Sequence, residues 1–169
     1  MTRLSAAAGA GLAGLALLLA GCADGGPPPL GTGRGGSTGL ECTPGKTLAD
    51  GFYTLQNSSG ETVTVTRVRL IGGSGQQITS PAWLVPIYHT SNSSAIIGLN
   101  YWPVRWPTWK YRKQVPATIP PHKTMNLVFA QTRTSDDPKS ATIEVSYTAG
   151  GSSYTFTEPQ IRVLVAVKC

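Results

Sequence analysis

The chain has 169 residues, a formal net charge of +6, 40% hydrophobic and only 13% charged residues, 20 glycines, 13 prolines and three cysteines. That length holds one ordinary domain, which excludes two-domain enzymes and long repeat arrays. The apolar content suffices for a packed core, although the first twenty residues supply much of it and are set aside before any fold argument.

Arg3 is the sole charge before Asp24, and residues 4–20 are almost pure Ala, Leu and Gly. A short positive region followed by an apolar run has the form of an export signal. The run of 17 residues lies at the bottom of what spans a bilayer of about 30 Å, and its glycines at 9, 11 and 14 favour a cleaved segment over a helical anchor. Leu19-Ala20-Gly21-Cys22 then resembles the bacterial lipobox at all four positions. This resemblance to the bacterial lipoproteins covers the first 22 residues. It implies cleavage before Cys22, lipidation of Cys22, and a mature chain held on the extracytoplasmic face of the cell membrane by two or three acyl chains. Residues 1–21 are then the signal peptide.

With Cys22 assigned to lipid, Cys42 and Cys169 remain and bracket the domain. An oxidising exterior allows them to pair, and closing so long a loop stabilises a fold by up to about 4.7 kcal/mol in the chain-entropy description. Neither has the neighbouring His or CxxC spacing of a reactive thiol or metal ligand. Residues 22–40, with Pro27, Pro28, Pro29 and glycines at 31, 33, 35, 36 and 39, read as a flexible tether. Gly45-Lys46-Thr47 imitates the end of a phosphate-binding loop, but the spacing puts Leu40 where the first glycine is required.

Residues 41–169 carry apolar alternation of period two and no helical stripe of ten residues free of Pro or Gly. Strands are expected at 52–56, 62–71, 83–90, 95–100, 124–132, 142–148, 153–157 and 160–168. In 62–71 the apolar parity switches between Val65 and Val68, which requires a bulge and suggests a bent edge strand. Ala149-Gly150-Gly151-Ser152 reads as a hairpin turn. In the last strand Ile161, Val163, Val165, Val167 and Cys169 share one face, which points the terminal cysteine inward toward Cys42. Seven to nine strands imply an all-β, antiparallel, immunoglobulin-like β-sandwich after a signal peptide and linker. The turns Asn57-Ser58-Ser59-Gly60 and Ile119-Pro120-Pro121-His122-Lys123 make the domain similar to the small immunoglobulin-like lipoproteins of high-GC bacteria, a likeness that implies a fold and a location but no activity.

No Asp or Glu occurs between residues 62 and 135, a stretch holding Arg67, Arg69, Arg105, Lys110, Arg112, Lys113, Lys123 and Arg133. Removal of the signal, and Arg3 with it, leaves 13 basic and 8 acidic residues, a balance of +5 that favours anionic partners such as headgroups or phosphate-bearing wall polymers. Within that stretch Tyr101, Trp102, Arg105, Trp106, Trp109, Lys110, Arg112 and Lys113 crowd three indoles and four cations into thirteen residues, and Pro103 and Pro107 exclude a regular helix. Exposed rings would offer flat faces to sugars or partner side chains, with the cations holding anionic groups. Rings that plug one end of the sandwich would instead be core, with the cations snorkelling outward. Exposure above about a third marks the first case and full burial the second.

His89, His122 and Met125 would be the ligands of a copper-handling protein, but their spacing does not fit and Met125 shares the parity of Leu127 and Phe129. No metal or cofactor is assigned. Neither Gly72-Gly73-Ser74-Gly75 nor Gly150-Gly151-Ser152 forms a nucleophile elbow, Asp136-Asp137 sits in turn composition, and Glu144 and Glu158 are isolated in sequence. The expectation is a non-enzymatic envelope lipoprotein that binds or scaffolds through its aromatic and basic segment, its partner an anionic glycan, wall polymer or envelope protein and not nucleic acid. The alternatives are a purely structural or accessory lipoprotein and a copper-handling one.

Overall fold

The computed structural model describes residues 28–34, 47–91, 93–134 and 141–159. Cys22, Cys42, Cys169, the signal segment and the strand expected at 160–168 lie outside them.

The described residues form thirteen strands and one 3₁₀ turn. They are β1 Leu30–Arg34, β2 Leu48–Asn57, β3 Val63–Ile71, β4 Gln76–Ile78, β5 Trp83–Pro86, β6 Tyr88–His89, β7 Ser94–Ala95, β8 Gly98–Tyr101, β9 Lys113–Gln114, β10 Ala117–Ile119, β11 Thr124–Arg133, β12 Thr142–Ala149 and β13 Ser152–Pro159, with the 3₁₀ turn at Trp109–Tyr111. All the pairings are antiparallel. A large sheet runs β1-β2-β11-β5-β9, with β8 also on β2 and β4 also on β11; a smaller one runs β10-β3-β12-β13; β6 and β7 form a separate hairpin. Tyr53, Leu55, Leu127 and Phe129 of the large sheet meet Val63, Val65, Ile143, Val145 and Tyr147 of the small one in a single buried core. The molecule is therefore an antiparallel β-sandwich, with more and shorter strands than expected.

Period-two alternation is clearest in β12, where Ile143, Val145, Tyr147 and Ala149 are buried and the residues between them are half-buried. The β12–β13 hairpin closes through Gly150 and Gly151 at φ 54° and 79°, the left-handed pair that a two-residue turn demands and that glycine adopts without a Cβ clash. The parity switch in β3 is a bulge: Ser146 faces Arg67 but Tyr147 faces Val65, leaving Thr66 unmatched. Contrary to the edge-strand expectation, β3 is interior, with β10 on one side and β12 on the other. The three-residue β10 escaped notice because so short a run carries no period.

Residues 30–34 contradict the tether expected over 22–40. They form β1, paired in register with Asn57 through Tyr53 of β2. Leu30 is 3% exposed in the inter-sheet core, and the Ser58 backbone N–H donates to the Pro29 carbonyl at 3.0 Å. Composition misleads here because the strand is held by backbone ladder bonds and one apolar anchor, neither of which needs a hydrophobic sequence.

Candidate binding surfaces

A second core lies on the opposite face of the large sheet. Register puts Leu84, Leu127 and Phe129 on the inter-sheet side, so Trp83, Val85 and Val128 project outward, where they pack with Ala49, Ile97 and Val104. Strands buried on both faces explain the unbroken apolar runs Trp83-Leu84-Val85 and Leu127-Val128-Phe129-Ala130. The cover is the excursion between β5 and β9, which folds back over the sheet.

Two backbone fixtures hold that cover down. Asn126 is 1% exposed; its Oδ1 accepts the Ile97 N–H at 2.7 Å while its Nδ2 donates to the Gly51 and Tyr53 carbonyls at 2.6 and 2.8 Å. Its amide thereby ties the cover to the irregular stretch of β2 opposite Val128, where the β2–β11 register shifts. Gly51 makes the approach possible, because a Cβ there would stand 2.9 Å from the Ile97 Cβ and 3.0 Å from the Gly98 carbonyl. At the far end the Thr108 hydroxyl donates to the Pro86 carbonyl at 2.8 Å.

The aromatic segment is the outer layer of this cover. Trp102 stacks on Trp83 with centroids 5.1 Å apart, and Trp109 meets both edge-on at 5.6 Å and 5.8 Å. Trp106 makes an edge contact with Tyr88 at 6.1 Å. All three indoles of the segment are half-buried, short of the exposure above about a third that marks a contact surface and short of the full burial that marks core. They cap a sheet face and do not plug an end of the sandwich. Tyr101 pairs through its backbone with Leu48.

The cations lie outside the rings. Arg105, Lys110, Arg112 and Lys113 are exposed, and among the described residues none of them is paired with a carboxylate. The Arg112 guanidinium sits 4.9 Å from the Trp109 ring centre and also donates to the Trp109 carbonyl at 3.2 Å. The Lys110 ammonium sits 4.9 Å from the ring centre of Tyr111, which is 58% exposed. Two of the four cations thus lie against rings of the segment, one over an indole and one over a phenol, beside half-buried indoles.

The acid-free stretch does not make one field. Arg69, on the small sheet, forms a two-pronged pair with Glu144 across the β3–β12 ladder. That pair holds the Glu144 carboxyl below its usual range, with Arg67 contributing. Long-range strand pairing returns an acid to that part of the run, which linear charge counting cannot anticipate.

The copper set does not form. Met125 is buried in the inter-sheet core, whereas His89 and His122 line a common cavity on the outer side of the large sheet. Among the described residues no group of three or more His, Cys, Asp or Glu can hold a metal ion. Asp50, unflagged by sequence, is fully buried on the face of Phe129, with Oδ1 accepting the Phe52 N–H at 3.2 Å and Oδ2 unpartnered among the described residues. Desolvation pushes its carboxyl up to about 7, the Phe52 N–H drawing it the other way. It is walled into the core and so is placed to govern stability, not surface chemistry.

No helix among the described residues is long and apolar enough to cross a membrane. No family model, curated protein or solved structure matches the chain.

Proposed function

We propose that the protein is a cell-envelope lipoprotein, anchored through Cys22, whose sandwich domain binds an anionic, phosphate-bearing wall glycan through the aromatic and basic segment. The observation that carries this reading is a run of four exposed cations, Arg105, Lys110, Arg112 and Lys113, on a segment whose indoles pack on a rigid sheet, with Arg112 over Trp109 and Lys110 over Tyr111. Sugar rings present flat C–H faces that stack on indoles, and phosphodiesters take charge-assisted hydrogen bonds from guanidinium and ammonium groups. Holding the rings in place beforehand lowers the ordering cost of binding. The lipobox, the pairing of Cys42 with Cys169 and the immunoglobulin-like likeness belong to the same proposal and rest on the sequence.

Two experiments test it. Radiolabelled palmitate should enter the chain in cells and fail to enter Cys22→Ser. The intact chain should co-sediment with phosphate-bearing wall polymer, and Lys110→Gln/Arg112→Gln/Lys113→Gln should weaken retention about threefold to a hundredfold, since exposed charge contacts contribute about 0.2–1 kcal/mol each. Equal retention of the folded triple variant would refute the assignment of the surface.

A further inference from the structure

The chain contains two histidines, 33 positions apart, and the fold brings both to one cavity of about 480 Å³. That volume is in the range of small-molecule sites, about 300–1,000 Å³. The cavity lies between the β6–β7 hairpin and the Pro120-Pro121-His122-Lys123 turn, with Thr54 and Thr124 beneath and Ile87 and Ile96 as apolar wall. Its ionisable lining groups are His89, His122 and Lys123, and no carboxylate is among the residues that line it.

Each wall is built to stay where it is. Asn57 has no exposure, and its Nδ2 donates to the Ile119 and Pro120 carbonyls at 3.0 and 3.1 Å while its backbone N–H donates to the Lys123 carbonyl at 2.9 Å. The turn closes with the Lys123 N–H on the Pro120 carbonyl at 3.3 Å, which puts His122 in the second central position at φ 56°. Glycine or asparagine is the ordinary occupant of that position, so an imidazole there is kept against a backbone preference. Across the cavity the β6–β7 hairpin is clasped by the Thr90 N–H on the Ser93 carbonyl at 2.8 Å and the Ser93 N–H on the Thr90 hydroxyl at 3.0 Å. Strand alternation sends Tyr88 to Trp106 and leaves His89 for the cavity. Ser94 Oγ lies 2.8 Å from His89 Nδ1; with that hydroxyl donating, Nε2 carries the proton and is a hydrogen-bond donor.

We propose that this cavity is a second binding site, independent of the aromatic segment, for a phosphoryl group carried on a small polyol or apolar body. Two imidazoles and an ammonium line the cavity from opposite walls, and each is able to donate, which matches an anion with several acceptor oxygens. The hydroxyls of Thr54, Ser94 and Thr124 suit polyol oxygens, and Ile87 and Ile96 suit carbon. The ammonium of Lys123 and the lack of a third metal-binding side chain turn the same site against a cation.

The test is calorimetric titration of the intact chain with glycerol 3-phosphate, with glycerol as the uncharged control, and in a second arm with vesicles containing phosphatidylglycerol. His122→Gly is the informative variant, because glycine relieves the positive φ while deleting the imidazole; Lys123→Gln removes the ammonium, and Arg67→Gln on the small sheet is the charge-matched control. The expected result is saturable one-to-one binding in at least one arm, absent with glycerol, weakened tenfold or more in His122→Gly and Lys123→Gln and unchanged in Arg67→Gln. The arm that binds more tightly identifies the phosphoryl source. Binding in neither arm, or equal binding by His122→Gly and the parent chain, overturns the proposal. Because the aromatic segment is intact in these variants, failure here leaves the wall-glycan reading standing.

Discussion

Asp50 couples the stability of the sandwich to pH. Burial raises its carboxyl from an ordinary value near 3.8 to about 7, so between those values the folded chain holds a proton that the unfolded chain has released. Folding therefore loses stability as pH rises through that window, by on the order of 4 kcal/mol in total, and the loss is complete above about pH 7. Asp50→Asn keeps an acceptor for the Phe52 N–H and has no charge to bury. Chemical denaturation at pH 4 and pH 8 should show the variant close to the parent at the lower pH and several kcal/mol more stable at the higher. At Gly51 the close approach to Ile97 predicts that Gly51→Ala costs about 1–3 kcal/mol by overpacking, readable as a lower denaturation midpoint with an unchanged slope. Neither residue was legible in the sequence. Asp50 and Gly51 precede the strand expected at 52–56, and Asn126 between Met125 and Leu127 reads as an ordinary solvent-facing position of an alternating strand. Alternation places Asn126 correctly on the outer face; only the cover, which is long-range packing, makes that face an interior.

At the scale of elements, the excursion between β5 and β9 is a second layer whose cohesion is aromatic. Trp83 is 9% exposed and stacks or edges against two other indoles, whereas Trp106 touches Tyr88 and sits at the margin. Trp83→Ala should cost about 3–5 kcal/mol and Trp106→Ala clearly less, measured by thermal unfolding of the two variants side by side. Leu30→Ala should cost about 2–4 kcal/mol, since Leu30 is the apolar anchor of β1 in the core. A true tether would give no change in the same melt. The long elements were legible because β3, β12 and β13 carry either clean alternation or a parity break that marks a bulge, and β11 an unbroken apolar run. The expected strand at 83–90 divides after Pro86 into β5 and β6, and that at 95–100 resolves into β7 and β8 around Ile96 and Ile97. β4, β9 and β10 are two or three residues long and are defined by their partners, not by their own composition.

The whole molecule is a sandwich with an inner core between its sheets and an outer core under an aromatic cover. The aromatic and basic segment was legible as a cluster, because its residues are neighbours in the chain. Its architecture was not, because whether an indole is core or surface depends on the sheet brought beneath it. The indoles are both: they pack against Trp83 and Val104 on one side, and Arg112 sits over Trp109 on the other. The histidine cavity was likewise invisible along the chain, since the β6–β7 hairpin after β5 and the turn before β11 meet only after β5 and β11 pair. Charge divides in the same way, with Arg67 and Arg69 answered by Glu144 on the small sheet and the segment's four cations left unanswered among the described residues. The measurement that bears most directly on the wall-glycan reading is tryptophan fluorescence of the intact chain titrated with phosphate-bearing wall polymer at low and high salt, with Lys110→Gln/Arg112→Gln/Lys113→Gln alongside. A saturable spectral shift in the parent chain, weakened by salt and lost in the folded triple variant, is the predicted result. An unshifted spectrum at every polymer concentration, or a shift that the triple variant reproduces, would contradict it.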